Sequence, residues 1–269
     1  MNKKVKRGLI WAFVGVMLAF MYIPIVILIV FSFTDAKALG VWEGFSFELY
    51  ADLFTNASIL SAFKNSVILA LVSALLATVL GTTAAVGIFH TRKWKKTASN
   101  FIANITMENA EIVTGVTFMM FFLALRLPYG WVTLIIAHTM ITTPYVILSV
   151  TPKLSQLNPN LYEAGLDLGA SPMRSMLSVV IPQLIPGMIS GFVMAFALSL
   201  DDFIVSKFVN GSVETIPVYL YNALAKRGAD PTLRALSALL FVVILTVLIA
   251  LNVVSAKRKK RKFESTFIA

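Results

Sequence analysis

The chain has 269 residues, 58% of them hydrophobic and only 13% charged, with a mean hydropathy of +0.83 and a net charge of +10. A soluble domain carries about 45–50% apolar and about 25% charged residues, so this composition excludes a water-soluble enzyme and indicates an integral membrane protein. With no cysteine and only two histidines, His90 and His138, the chain also excludes disulfides, thiolate catalysis and Cys- or His-rich metal sites, and no metal site is expected.

A helix needs about 20 apolar residues to cross a bilayer. Leu9–Phe33 is the first such run. Lys3, Lys4, Lys6 and Arg7 before it resemble the start of a signal peptide. The apolar run is too long for one, however, and no small-residue cleavage site follows, so it reads as a retained span. Residues 34–65 read as a soluble external loop. Its Trp42, Phe45, Phe47, Tyr50, Leu53 and Phe54 fit an aromatic belt at headgroup level or a docking surface for an external partner.

The second span is expected over 66–89. The third is harder, because Ile112–Leu125 is too short alone. Extended back to Phe101 it becomes a span over 101–125 with Glu108 and Glu111 at a polar entrance. Spans four, five and six follow at 131–152, 179–200 and 235–256. The runs lack the alternating period of an outer-membrane barrel, and helices satisfy their own backbone in lipid. The expectation is an all-α membrane protein of six transmembrane helices forming one domain, 1–269.

Sixteen of the 23 Lys and Arg residues fall in segments 1–8, 90–100, 153–178 and 257–269, against seven on the opposite side. Basic residues are retained inside, so both termini are expected in the cytoplasm. The run Lys257–Lys262 directly follows the last span and reads as an anchor on anionic lipid, not a nucleic-acid site.

The cytoplasmic link 153–178 carries its own helix signals. Asn158-Pro159 and Asn160 offer a cap, with Glu163 three residues on, as in a capping box. Leu161, Ala164, Gly165 and Leu168 share one face. Gly169 can adopt the left-handed conformation that stops a helix, and Ser171-Pro172 can start another. A short helix, a sharp turn and a second helix leading into span five are predicted. Spacing alone leaves open whether this is a plain interfacial connector or a lever for a cytoplasmic partner.

The segment Glu163-Ala164-Gly165-Leu166-Asp167-Leu168-Gly169, with Ile181-Pro182 beyond it, resembles the EAA loop of ABC importer permeases, whose pattern is E-A-A-x3-G, nine residues, then I-x-L-P. Gly165 stands where the family has its second Ala, and Val179 and Ile181 replace Ile and Leu. Trp42-Glu43-Gly44-Phe45, Thr143-Pro144-Tyr145-Val146, Leu198-Ser199-Leu200-Asp201-Asp202, Phe208-Val209-Asn210-Gly211 and Asp230-Pro231 extend the likeness. Over nearly the whole chain it is similar to spermidine/putrescine permeases of the PotC type.

The resemblance implies a type I ABC importer permease in the cytoplasmic membrane of a bacterium. It implies a second permease subunit as partner, two copies of a cytoplasmic ATPase and an extracellular or periplasmic substrate-binding protein. Glu163, Ala164, Gly165, Asp167 and Gly169 would couple to the ATPase. The chain has no G-x-x-x-x-G-K-[ST] loop, so it is expected to be no enzyme and to hold no cofactor, with ATP and Mg bound by the partner.

Ionisable groups at membrane depth suggest function. Asp201 and Asp202 close span five, and Glu108 and Glu111 stand at span three. A polyamine is a multiple ammonium ion, so these carboxylates are the candidate substrate pathway. A solvated span end, with Asp201 or Asp202 paired to Lys207, is the plainer alternative. His138 fits a proton carrier or a hydrogen-bonded packing residue. Two other classes are weaker. An ion-coupled secondary transporter would show an internal repeat, which is not seen. A membrane prenyltransferase would need more acid than Asp201-Asp202-Phe203-Ile204-Val205 provides.

Overall fold

A computed structural model describes residues 3–34, 36, 40–89, 109–158, 160–227, 231–243 and 245–246. Glu108, His90, the basic stretches at 92–96 and 257–262, and expected span residues 101–108 and 247–256 lie outside the described residues. Among those described there is no strand. The helices are α1 (Lys3–Phe31), α2 (Glu48–Thr55), α3 (Ala57–Phe89), α4 (Glu111–Ala124), α5 (Trp131–Ser155) and α6 (Asn160–Asp167). They continue as α7 (Pro172–Ser175), α8 (Ile181–Asp201), α9 (Ile204–Val209), α10 (Ile216–Arg227) and α11 (Thr232–Val243). A π turn, Met176–Val180, joins α7 to α8.

Among the described residues, four segments are long and apolar enough to cross a membrane: Arg7–Phe31, Ala57–Phe89, Trp131–Ser155 and Pro172–Asp201. They correspond to expected spans one, two, four and five. The third expected span is not one helix over 101–125. Ala110 is extended, with φ −59° and ψ 126°, and α4 starts only at Glu111. Its 14 residues rise about 21 Å, short of the about 30 Å hydrocarbon core. A carboxylate favours the first turn of a helix, where it meets the positive end of the dipole, so Glu111 starts a helix here instead of sitting inside one. The sixth expected span begins with α11, three residues earlier than expected.

The chain forms two compact units, residues 1–60 with 220–269, and residues 61–219. In the first, the segment expected as a loop is ordered by aromatic contacts. Phe33 stacks on Phe45 at 5.5 Å and meets Phe47 edge-on at 5.7 Å. The Ser32 and Tyr50 hydroxyls lie 2.7 Å apart, and Leu49 and Leu53 of α2 are buried. The buried Arg234 guanidinium donates to the Ala36 carbonyl. The loop expectation fails again at Asn56, whose side-chain oxygen accepts from the Ser58 amide at 3.0 Å and starts α3 nine residues before the expected span. Hydropathy hid this turn because Lys64 and Asn65 interrupt the apolar run.

The second unit is built around α5. Lipid tails are as apolar as the side chains, so helices in a membrane gain most from close packing of small residues. Buried Ala70, Ala74, Ala77 and Ala85 mark the packed face of α3. At Gly81 an added Cβ would lie 2.7 Å from Val146 Cβ, and at Gly191 of α8 it would lie 3.0 Å from Val146 Cγ1 and 3.1 Å from its Cα. Gly187, one turn before Gly191, leaves similar room for the Ser149 carbonyl and Val150 Cα. Val146 is thus clamped between two glycines on separate helices. The short helix α9, which hydropathy did not reveal, packs on α4 and α5. Thr133 Oγ1 donates to the Val209 carbonyl at 2.9 Å, and a Cβ on Gly115 would meet Phe208 at 2.6 Å.

Two glycines of α3 therefore give opposite outcomes. Gly81→Ala is expected to destabilise by about 1–3 kcal/mol through overpacking. Gly87→Ala, with no atom within 4 Å, is expected to be neutral or to stabilise by up to about 1 kcal/mol. Thermal midpoints of the detergent-solubilised protein check both, and equal shifts would contradict the clamp.

Candidate functional site

Pro172–Asp201 is a continuous helical segment whose two ends carry the two clusters singled out from the sequence. At its C-terminal end, α8 stops because Asp202 is extended, with φ −65° and ψ 116°. A cavity of about 380 Å³ opens there, with Glu111, Asp201 and Asp202 in its wall, together with Asn109, Thr114 and Tyr145. That volume is in the range of small-ligand sites, about 300–1,000 Å³. Three of the four acidic residues named from the sequence therefore share one cavity; Glu108 is outside the described residues.

The three carboxylates differ in their surroundings. Glu111 and Asp201 are exposed in the described structure. Glu111 stands in the first turn of α4, where the helix dipole favours its charge. Asp201 is the last residue of α8, where the dipole opposes it, so its charge is better matched by a cation. The Asp202 side chain is only 7% exposed. Its oxygens accept from the Ser206 amide at 2.7 Å and the Val205 amide at 3.4 Å, in the first turn of α9. The alternative of a solvated span end is corrected for Asp202, whose largely buried side chain caps α9. It faces the N-terminal end of the next helix, which sequence reading missed.

His138 is fully buried and hydrogen-bonded. Its Nδ1 is 2.7 Å from Ser199 Oγ and its Nε2 is 3.0 Å from Ser206 Oγ. Asp202 Oδ2 is 3.5 Å from Nε2. A serine hydroxyl both donates and accepts, so either tautomer of the ring is satisfied. Ser199 and Ser206 gave no signal in the sequence; their roles appear only when three elements converge.

At the other end, the link 153–178 forms a helix, a turn and a second helix, as its punctuation predicts. The cap differs in detail, because the Asn158 side-chain oxygen takes the Asn160 amide at 3.0 Å. Gly169 has φ +82°. Its amide donates to the Leu166 carbonyl at 2.8 Å, and the Ala170 amide donates to the Gly165 carbonyl at 3.1 Å. These two bonds define a Schellman stop. Ser171 caps the next turn through the Arg174 amide at 3.4 Å, with Pro172 at its first position.

The apolar face expected for α6 is mostly uncovered. Only Gly165 is buried, while Leu161, Ala164 and Leu168 are exposed, Leu168 by 89%. Glu163 and Asp167 are exposed as well. Gly165, the departure from the family pattern, has a steric cause. A Cβ there would lie 2.3 Å from Ser175 Oγ, and that hydroxyl donates to the Tyr162 carbonyl at 2.9 Å. The glycine lets α6 rest directly on the segment that leads into α8.

Long apolar helices around an acidic cavity, with an exposed helix–turn–helix at the opposite end of the same segment, define a multi-pass membrane permease. Residues 77–261 match the binding-protein-dependent transport system inner membrane components, and the chain belongs to that family. It is 32% identical over 247 residues to the spermidine/putrescine transport system permease protein PotC of Haemophilus influenzae, covering 91% of this chain and 96% of that protein. To the putrescine transport system permease protein PotI of Escherichia coli it is 30% identical over 242 residues, covering 86% of this chain and 85% of the relative. Its fold is similar to a bacterial ABC transporter involved in import of the acidic polysaccharide alginate, with a TM-score of 0.68 at 19% identity, over 95% of this chain and 98% of that one.

The contact under Gly165 yields a test. Gly165→Ala is expected to displace the Ser175 hydroxyl from Tyr162 and cost about 1–3 kcal/mol locally. Tryptic cleavage after the exposed Arg174 should then rise at least about fivefold through local opening. Adding Ser175→Ala, which leaves a 3.2 Å contact for a small shift to relieve, should restore much of the protection. Equal cleavage in all three proteins would contradict the account.

Proposed function

We propose that this chain is the membrane-spanning permease subunit of an ATP-driven polyamine importer. The observation that carries the proposal is the cavity wall, where Glu111 and Asp201 present exposed carboxylates at the broken end of a long apolar helix. A polyamine carries ammonium groups along an apolar chain, and separate carboxylates in a wet cavity can hold such a cation without the desolvation cost of a buried ion pair. The names of the PotC and PotI relatives support the same substrate class.

In this reading the chain is one domain of six spans, with both termini in the cytoplasm, in a bacterial inner membrane. A second permease subunit completes the pathway. A binding protein delivers polyamine from outside, as the alginate importer's periplasmic protein bears its own ligand. Two copies of a cytoplasmic ATPase bind ATP and Mg. The exposed residues of α6, with Glu163, Asp167 and the turn at Gly169, receive the ATPase. Because α6 rests on the start of the α7–α8 segment through Gly165, displacement of α6 is passed to the segment that ends at Asp201. This chain supplies the pathway and the lever, and the partner supplies the chemistry.

Two measurements test the proposal. In membranes with matched levels of assembled complex, Asp201→Asn and Glu111→Gln are each expected to reduce uptake of labelled spermidine and putrescine at least about tenfold, equivalent to about 1.4 kcal/mol. Asp202→Asn, whose amide oxygen can still accept from the α9 amides, is expected to cost less than about fivefold and to change stability by less than about 1 kcal/mol. Wild-type rates in all three would remove the carboxylates from the pathway, and a wild type that moves neither polyamine would remove the substrate. For topology, the cysteine-free chain allows Ser46→Cys and Ser155→Cys. Only the first is expected to react with an impermeant external thiol reagent; the reverse pattern would overturn the orientation.

A further inference from the structure

His138 is not itself among the residues that line the cavity, yet its imidazole joins the elements that form the acidic wall. His138 lies on α5, one turn before the cavity-lining Thr142 and two before Tyr145. Ser199, at 2.7 Å, is two residues before Asp201, and Ser206, at 3.0 Å, stands in the first turn of α9. Between them, Asp202 takes the Ser206 amide at 2.7 Å and approaches His138 Nε2 at 3.5 Å. Asp201 is the last residue of α8, and the chain is irregular at Asp202 and Phe203 before α9 begins. Past the Asp202 amide, which bonds to the Leu198 carbonyl at 3.1 Å, the imidazole and the Asp202 cap hold this break from behind.

We propose that His138 is a positioning residue for cation binding, acting through Asp202 and Ser206 to set where Asp201 stands in the cavity. This rests on the polyamine reading above. The position-sensitive contact is on the Nε2 side, toward Ser206 and Asp202. The Nδ1 bond to Ser199 secures the ring to a regular helix that is already ordered.

Amide side chains separate the two sides of the ring. Gln places a polar atom near the position of Nε2, and Asn places one near Nδ1. The complete transporter, co-expressed with its partner subunits, is assayed for labelled spermidine and putrescine uptake, with rates normalised to assembled complex. His138→Asn is expected to raise KM about threefold with maximal rate retained, and His138→Gln to stay near the wild-type KM. Ser206→Ala, which leaves the backbone amide on Asp202 and perturbs packing least, is expected to raise KM like His138→Asn. A structural role alone would lower the maximal rate or the yield of complex at constant KM. That result, an unchanged KM in all variants, or equal KM rises in His138→Asn and His138→Gln overturns the proposal. If the His138 variants do not assemble, Ser206→Ala decides, and a wild-type KM there overturns it. Absence of polyamine uptake by the wild type instead refutes the underlying functional reading.

Discussion

Close approach at Val146 is the constraint on which the rest of the second unit depends. In lipid there is little hydrophobic gain from bringing one apolar helix against another, so association rests on contact distance and internal hydrogen bonds. Gly81 and Gly191 bring two helix backbones against the same valine from different sides. Once α5 is held there, its N-terminal half is fixed as well. Thr133 can then receive α9, and His138 can reach Ser199 and Ser206. The polar network does not hold the helices together unaided; it is placed by a packing contact two turns away.

The two clusters of functional interest are ends of one object. The turn after α6 is stopped at Gly169 and the chain restarted at Ser171-Pro172, and the helical segment that follows runs to Asp201. Its 30 residues span about 45 Å at ideal rise. Such a rod needs no chain of side-chain rearrangements to transmit displacement, because its backbone hydrogen bonds already make it stiff along its axis. What such a rod needs is firm contact at one end and a defined wall at the other. Gly165 against Ser175 supplies the first, and the Asp202 cap supplies part of the second.

Much of this was legible in the sequence where the signal is local. Gly169 and Ser171-Pro172 announce a helix stop and start because each acts through its own backbone or its nearest neighbours. The four long apolar helices follow from run length. Legibility failed where the deciding partner is distant in sequence. His138 meets Ser199 and Ser206 across separations of 61 and 68 residues, and no pattern in α5 names them. Asp202 was readable as the end of one helix but not as the cap of the next, because six-residue α9 is too short to leave a periodic trace. The missing methyl of Gly165 was visible, but its reason, the Ser175 hydroxyl, was not. Hydropathy also misplaced the start of α3, where a capping asparagine outweighed the polar residues that follow it.

The π turn at Met176–Val180 gives the rod an adjustable phase. There the Ile181 amide bonds back to the Met176 carbonyl, five residues earlier, in place of the usual four. A π turn holds one residue more than an α-helical turn. Deleting one residue from it would let the Ile181 amide close an ordinary α-turn on the same Met176 carbonyl, so the helix beyond would keep its face. Drawing the turn into α-geometry at constant length would instead rotate everything beyond it by about 100° about the axis, the angle subtended by one residue. Asp201 would then leave the cavity wall although neither the Gly169 turn nor the acidic pair had changed. The extra residue at Met176–Val180 therefore separates two properties that a regular helix ties together, the length of the segment and the direction in which its Asp201 end faces.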